Sequence, residues 1–269
     1  MIFNKFLATT CLATALITTG CGGDEEIGHT TVIPVIPADA TLIDSNNALT
    51  VGAAAVSSTS TDFLDSATAV QTSLPPAQKT ISMVSKYIRE ANKTVNNTVT
   101  AATSSFACIV SGSISITPLS NNSGAILAFN NCNDDGVTSL NGSFLFSGTS
   151  NQTTGSYTSS GNGSLTVSSN AQSFTMAFDF SETGNDSDGS FSTNMSFSIS
   201  GSSVNFLAET SSNLTGIYNN FTGITTFDGG QLLVSGAQGT QLQITINVDG
   251  SADVELNTGN GIFTYINTI

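Results

Sequence analysis

Hydrophobic positions change their spacing once along this chain, from steps of three and four before about residue 105 to steps of two after it. In the first part, Ile81, Val84, Ile88, Ala91, Val95, Val99 and Ala102 fall within an arc of about 80° at the helical turn of 100° per residue. Lys79, Lys86 and Lys93 lie on the opposite side. This predicts one long amphipathic helix from about Leu74 to Thr103, with Ser73 as its cap and Pro75-Pro76 tolerated in the first turn. A shorter helix is predicted through Ala48, Leu49, Ala53 and Val56, with Asp44-Ser45 supplying the N-cap. A second short piece surrounds Phe63, Ala67 and Val70.

The later part alternates. Phe174, Met176, Phe178 and Phe180 are separated by Thr175, Ala177 and Asp179, and Phe191, Thr193, Met195, Phe197 and Ile199 repeat the pattern. So do Leu242, Ile244, Ile246 and Val248. Alternation marks antiparallel strands with one buried and one solvated face, since parallel strands buried on both faces would read as continuous apolar runs. Asp135-Gly136, Asn141-Gly142, Asn162-Gly163, Asp188-Gly189, Asp228-Gly229, Asp249-Gly250 and Asn260-Gly261 supply hairpin-turn chemistry. The expected fold is mainly β with N-terminal helices (α+β): an antiparallel meander of roughly 10–12 strands. Too wide to stay flat, it should curl into a barrel or half-barrel, or split into two layers, covered by the long helix. A transmembrane barrel would need aromatic girdles, and this chain has no Trp and only four Tyr. The recurring Gly-Ser-apolar phrases at Gly142, Gly163 and Gly189 leave a β-solenoid as the rival architecture.

The N-terminus has a different logic. Lys5, an apolar stretch from Phe6 to Ile17 and the small-residue exit Thr18-Thr19-Gly20-Cys21 form a secretory signal too short to span a bilayer. Its ending resembles a bacterial lipobox, which implies that Cys21 is acylated and becomes the new N-terminus. Gly22 at the following position resembles the arrangement that allows transfer to the outer membrane. The expected organisation is a signal peptide at 1–20, a lipid-attached flexible tether at 21–43, a helical segment at 44–105 and an antiparallel β domain at 106–269. Pro34 and Pro37 favour extended backbone in the tether.

Loss of the signal leaves four basic and nineteen acidic residues, a formal charge of −15. All four basic residues lie between Lys79 and Lys93, and none follows Thr94. Such a body repels nucleic acid. The basic helix face reads as a solvated surface, with contact to lipid phosphates or to an acidic partner near the membrane as the sharper alternative. With Cys11 removed and Cys21 acylated, Cys108 and Cys132 remain as an even pair in an oxidising compartment. Their midpoint falls in the turn between Ser113–Ile116 and Ile126–Phe129, so a hairpin there should set them opposite each other in a disulfide.

Catalytic signals are sparse. The one histidine, His29, lies on the tether, which closes the route to a Ser-His-Asp triad, and no His/Cys cluster remains for zinc. Asn131–Gly136 and Asn185–Gly189 place oxygens as calcium loops do, at Asp134 and Asp135 or at Asp186 and Asp188. Both lack the downstream Glu and read first as Asx turns. No metal, cofactor or enzymatic activity is therefore expected. The lipobox, the Ala-rich stretch from Asn47 to Val56, Phe106-Ala-Cys108 and Phe129-Asn-Asn-Cys132 together resemble lipoproteins of Gram-negative bacteria to which no activity is assigned. The resemblance implies an outer-membrane location. The expected role is structural or binding, with the membrane as partner through Cys21 and an envelope protein or hydrophobic ligand as a further one. In the alternative reading the chain carries an acyl chain between curved sheet and helix, lined by Phe174, Phe178, Phe197 and Ile246. That geometry resembles helix-covered half-barrels of the lipoprotein-carrier type.

Overall fold

The computed structural model describes residues 31–57 and 103–268, apart from 120–123, 135, 152, 170–171, 203 and 220–223. The expected helix at 74–103 lies outside them except for its last residue, as do the piece at 63–70, the signal and Cys21. After one helix, α1 (Ala48–Ser57), come β1 (Ser104–Ala107), β2 (Ser111–Pro118), β3 (Gly124–Asn133), β4 (Thr138–Ser150), β5 (Ser156–Ser169) and β6 (Gln172–Asn185). The chain continues through β7 (Ser190–Ser200), β8 (Phe206–Asn219), β9 (Ile224–Ser235), β10 (Gln241–Ile246), β11 (Ala252–Asn257) and β12 (Thr264–Thr268). All twelve form one antiparallel sheet in sequence order, a pure meander that is not closed. Its edges are β1 and β12.

One row of direct register partners crosses the whole sheet: Ser104, Ile116, Leu127, Phe144, Gly163, Phe178, Phe197, Ala208, Val234, Leu242, Leu256 and Thr264. Every member from Ile116 to Leu256 is buried. The two-residue period of each strand therefore places its apolar set on one common face. The opposite face is held by hydroxyls and amides in cross-strand pairs, such as Ser147 with Ser160 at 2.6 Å, Thr149 with Thr158 at 2.8 Å and Gln231 to Thr245 at 3.0 Å.

Glycine in strand interiors corrects part of the turn reading. Asp188-Gly189 and Asp249-Gly250 do sit in turns, and Asn260-Gly261 lies in the connection before β12. Asn141-Gly142, Asn162-Gly163 and Asp228-Gly229 instead lie inside β4, β5 and β9. At Gly163 the reason is room. It is flanked in register by Phe144 and Phe178, whose rings meet edge to face across it with centroids 5.3 Å apart. A Cβ at 163 would fall well inside contact distance of the Phe144 Cβ and backbone. The arrangement recurs at Gly216, between Phe191 and Phe227, with centroids 5.5 Å apart. Such a lane lets two large rings share the space that a third side chain would take.

Helix α1 is short but firmly started. The Asp44 carboxylate accepts from the backbone N–H of Asn46 at 2.8 Å and of Asn47 at 3.2 Å, and the Asp44 N–H donates back to Asn47 Oδ1 at 2.9 Å. This satisfies amides that the first turn leaves without partners. The helix carries no charge, and Ala48, Val51, Gly52 and residues 53–56 are all buried. Small residues allow close approach: a Cβ on Gly52 would stand 3.6–3.9 Å from side-chain carbons of Ile244, Leu242 and Val254. Thus α1 lies on the inner face of β10 and β11.

The last part of the expected tether is fastened to the sheet. The Val32 N–H donates to Asn162 Oδ1 at 2.7 Å, and Asn162 Nδ2 donates to the Val32 carbonyl at 2.6 Å. Further on, the Thr41 N–H donates to the Asn205 carbonyl at 2.8 Å, the Thr41 carbonyl accepts from Ala237 N–H at 2.9 Å, and Ile43 is buried. Residues 31–43 therefore behave as a strap, because backbone groups of an extended segment find partners on β5 and at the ends of β8 and β9. Val248, expected to continue β10, is 89% exposed in the following turn.

The glycine lane yields a prediction. Gly163→Val forces the Phe144 and Phe178 rings apart and should cost about 1–3 kcal/mol by urea denaturation, whereas Thr166→Val on the solvated face should change stability by under about 0.5 kcal/mol. Equal, small effects would contradict the packing described.

Candidate functional site

Two places bring the sequence-selected residues together: the end of the sheet around Cys108 and the buried face. Cys108 lies between β1 and β2, and Cys132 lies in β3. They form a disulfide with Cα atoms 5.5 Å apart. The route differs from a simple hairpin opposition. Ser111 pairs with Asn133 and Ser113 with Asn130, which leaves Cys132 opposite Gly112 rather than Cys108. A tight turn brings Cys108 back, with its N–H donating to the Gly112 carbonyl at 3.2 Å. Gly112 has φ +81°, and any Cβ there would strike the Asn131 carbonyl. Asn131 itself is left-handed at φ +48° and is held by paired amide bonds with Asn141. The bulge it forms in β3 shifts Cys132 into reach.

The turns beside this disulfide are stitched by backbone. The Ile109 N–H donates to Asp134 Oδ1 at 2.8 Å, and the Val110 N–H to the Asn133 carbonyl at 2.9 Å. Ligand atoms of Cys108, Cys132 and Asp134 lie within 4.8 Å of one another. Metal ligation needs thiolates, and these sulfurs are joined to each other. The two loops weighed for calcium serve turns: Asn133 Oδ1 accepts from Gly136 N–H and Asn185 Oδ1 from Ser187 N–H.

Phe174, Phe178, Phe197 and Ile246 are all buried on the inner face. Phe178 and Phe197 are direct register partners. Phe174 stands four residues along β6 from Phe178, toward one end of the sheet. Ile246 closes β10 at the other end, opposite Gly230 and Ala252. The structure thus joins two of the four and separates the others. Glu182 also projects to this face, half-buried, and accepts a 2.8 Å hydrogen bond from the Tyr157 hydroxyl.

Several described carboxylates work as local acceptors: Asp228 from the Thr215 hydroxyl at 2.7 Å, Glu255 from Gln243 at 2.8 Å, and Asp253 from the Thr268 hydroxyl. The Ser190 hydroxyl, and then its backbone N–H, hold the Asp188 carboxyl below the ordinary carboxylate range. Ser251 does the same for Asp249.

Sequence reasoning missed the glycine lanes, whose signal was Gly at an inward position between inward aromatics. It also missed the strap, whose signal was the uncharged apolar run Val32-Ile33-Pro34-Val35-Ile36 inside a polar tether. Searches of protein-family models, of curated proteins and of solved structures find no match for this chain.

Two outcomes follow. Replacing both cysteines, Cys108→Ser with Cys132→Ser, should lower unfolding free energy by about 3 kcal/mol for a loop of this length; an unchanged urea midpoint would contradict the clamp. Asp188 and Asp249 have folded-state affinities for protons below their unfolded ones. Their stabilisation is therefore complete above the ordinary carboxylate range and is lost as pH falls through the lowered folded values. The double variant Asp188→Asn with Asp249→Asn should flatten the acid limb of stability against pH, read by thermal melts from pH 5 downward.

Proposed function

We propose that this chain is an outer-membrane lipoprotein, anchored through an acylated Cys21, whose β domain has a structural or binding role at the cell envelope without catalysis. In this reading the meander coils into a half-barrel around α1, and the amphipathic segment at 74–103 covers its remaining apolar face. The observation that carries the proposal is the fastening of the strap. Val32 is fixed to Asn162, and Cys21 precedes it by eleven residues. Eleven residues reach at most roughly 40 Å, so an acylated Cys21 keeps the domain beside its membrane.

Surface action is favoured over internal carriage of a ligand. Phe174, Phe178, Phe197 and Ile246 are covered by the protein itself, each at most 7% exposed. Asp188, Asp228, Asp249 and Glu255 are engaged with hydroxyls and amides in turns and across strands, which supports a non-catalytic role.

Metabolic labelling with palmitate tests the anchor. The full chain should incorporate label and partition into detergent, and Cys21→Ala should lose both while retaining its β circular-dichroism spectrum. Label retained by Cys21→Ala would overturn the anchor. Native mass spectrometry of that soluble variant should give the bare polypeptide mass; co-purified lipid would favour the carrier.

A further inference from the structure

We infer that the strap is a membrane-contact ridge, by which the anchored domain lies with the outer face of β5 toward the lipid surface. This rests on acylation of Cys21. Residues 32–36 are pinned at both backbone groups of Val32 by Asn162, an outward position of β5, and Pro34 is buried. The flanking side chains cannot turn in as well. Ile33, Val35 and Ile36 stand 76%, 62% and 49% exposed. Three large aliphatic side chains in four residues form a ridge on a chain whose polarity elsewhere rests on hydroxyls and amides.

The occupant follows from continuity and charge. The ridge is the part of the described chain that follows most closely on Cys21, so acylation would confine it near the bilayer at high effective concentration. From Thr30 to Ala38 there is no charged residue. A body of net charge −15 gains nothing from approaching anionic headgroups with its acidic turns, whereas the ridge itself carries no charge and stands over the uncharged outward positions Ser160, Asn162 and Ser164 of β5, with the exposed Asp179 of β6 as the register partner of Asn162. Ile109 and Val110, exposed beside the disulfide, form the competing apolar site.

The chain contains no Trp, so a single introduced Trp reports its own surroundings. Full-length lipidated Val35→Trp, Ile109→Trp and Val248→Trp are reconstituted into phosphatidylcholine vesicles with and without brominated acyl chains. Ile33→Trp serves as the second ridge reporter. Both ridge variants should emit at shorter wavelength than Val248→Trp and be quenched by brominated lipid at least twofold more. Co-flotation with equal, weak quenching at Val35, Ile33 and Val248 would overturn the ridge and leave the anchor standing. Strong quenching at Ile109 alone would move the contact to the disulfide end. A short-wavelength emission that brominated lipid does not quench would mean that protein covers the ridge. Failure to co-float at all would overturn the anchor itself.

Discussion

Everything in this fold depends on one constraint: a meander of twelve strands must turn the same face of every strand inward. A slip of one residue in any hairpin would carry that strand's apolar set to solvent. The row of partners from Ile116 to Leu256 holds that alignment across ten strands. Bulk is distributed unevenly within it. Gly163 stands where Phe144 and Phe178 converge, and Ala208 partners Phe197, whose ring meets Phe206 at 6.0 Å. Large rings therefore alternate with gaps, and the inner face interlocks through size complementarity.

The other face solves a different problem. Between Thr94 and the end of the sequence no Lys or Arg is available to blunt edges or break apolar patches. Hydroxyl pairs such as Ser147 with Ser160 replace them, each satisfying its neighbour while remaining hydrated. The disulfide adds a clamp at the β1 edge, where only a four-residue strand begins the sheet. It ties the turn before β2 to β3 and limits fraying where pairing is thinnest.

Much of this was legible from residue order. The switch to a period of two located the β region, and Leu242–Ile246, Asp249-Gly250 and Ala252–Leu256 marked one hairpin closely. Asp44 marked the start of α1. The disulfide was found by elimination, although the turn at 109–112 and the left-handed Asn131 that create it were not visible, because both depend on register. Asn162-Gly163 shows the limit most clearly. As a dipeptide it reads as a turn, and only the sheet reveals that Gly163 makes room for two rings while Asn162, on the other face, binds the strap. Local chemistry was the same in both readings; cross-strand neighbours decided between them. Of the four candidate lining residues, alternation told that each would face inward, but only register shows that Phe178 and Phe197 are partners while Phe174 and Ile246 stand toward opposite ends of the face.

The core and the strap meet at β5. Its inward glycines admit the rings that build the core, and its outward Asn162 holds the strap at Val32. The most direct test of the packing principle is a double-mutant cycle between Phe144→Leu and Phe178→Leu, measured by urea denaturation. The two rings should show a coupling of about 0.5–1.5 kcal/mol across the intervening strand. Additive losses, with no coupling beyond experimental error, would contradict an inner face interlocked through Gly163.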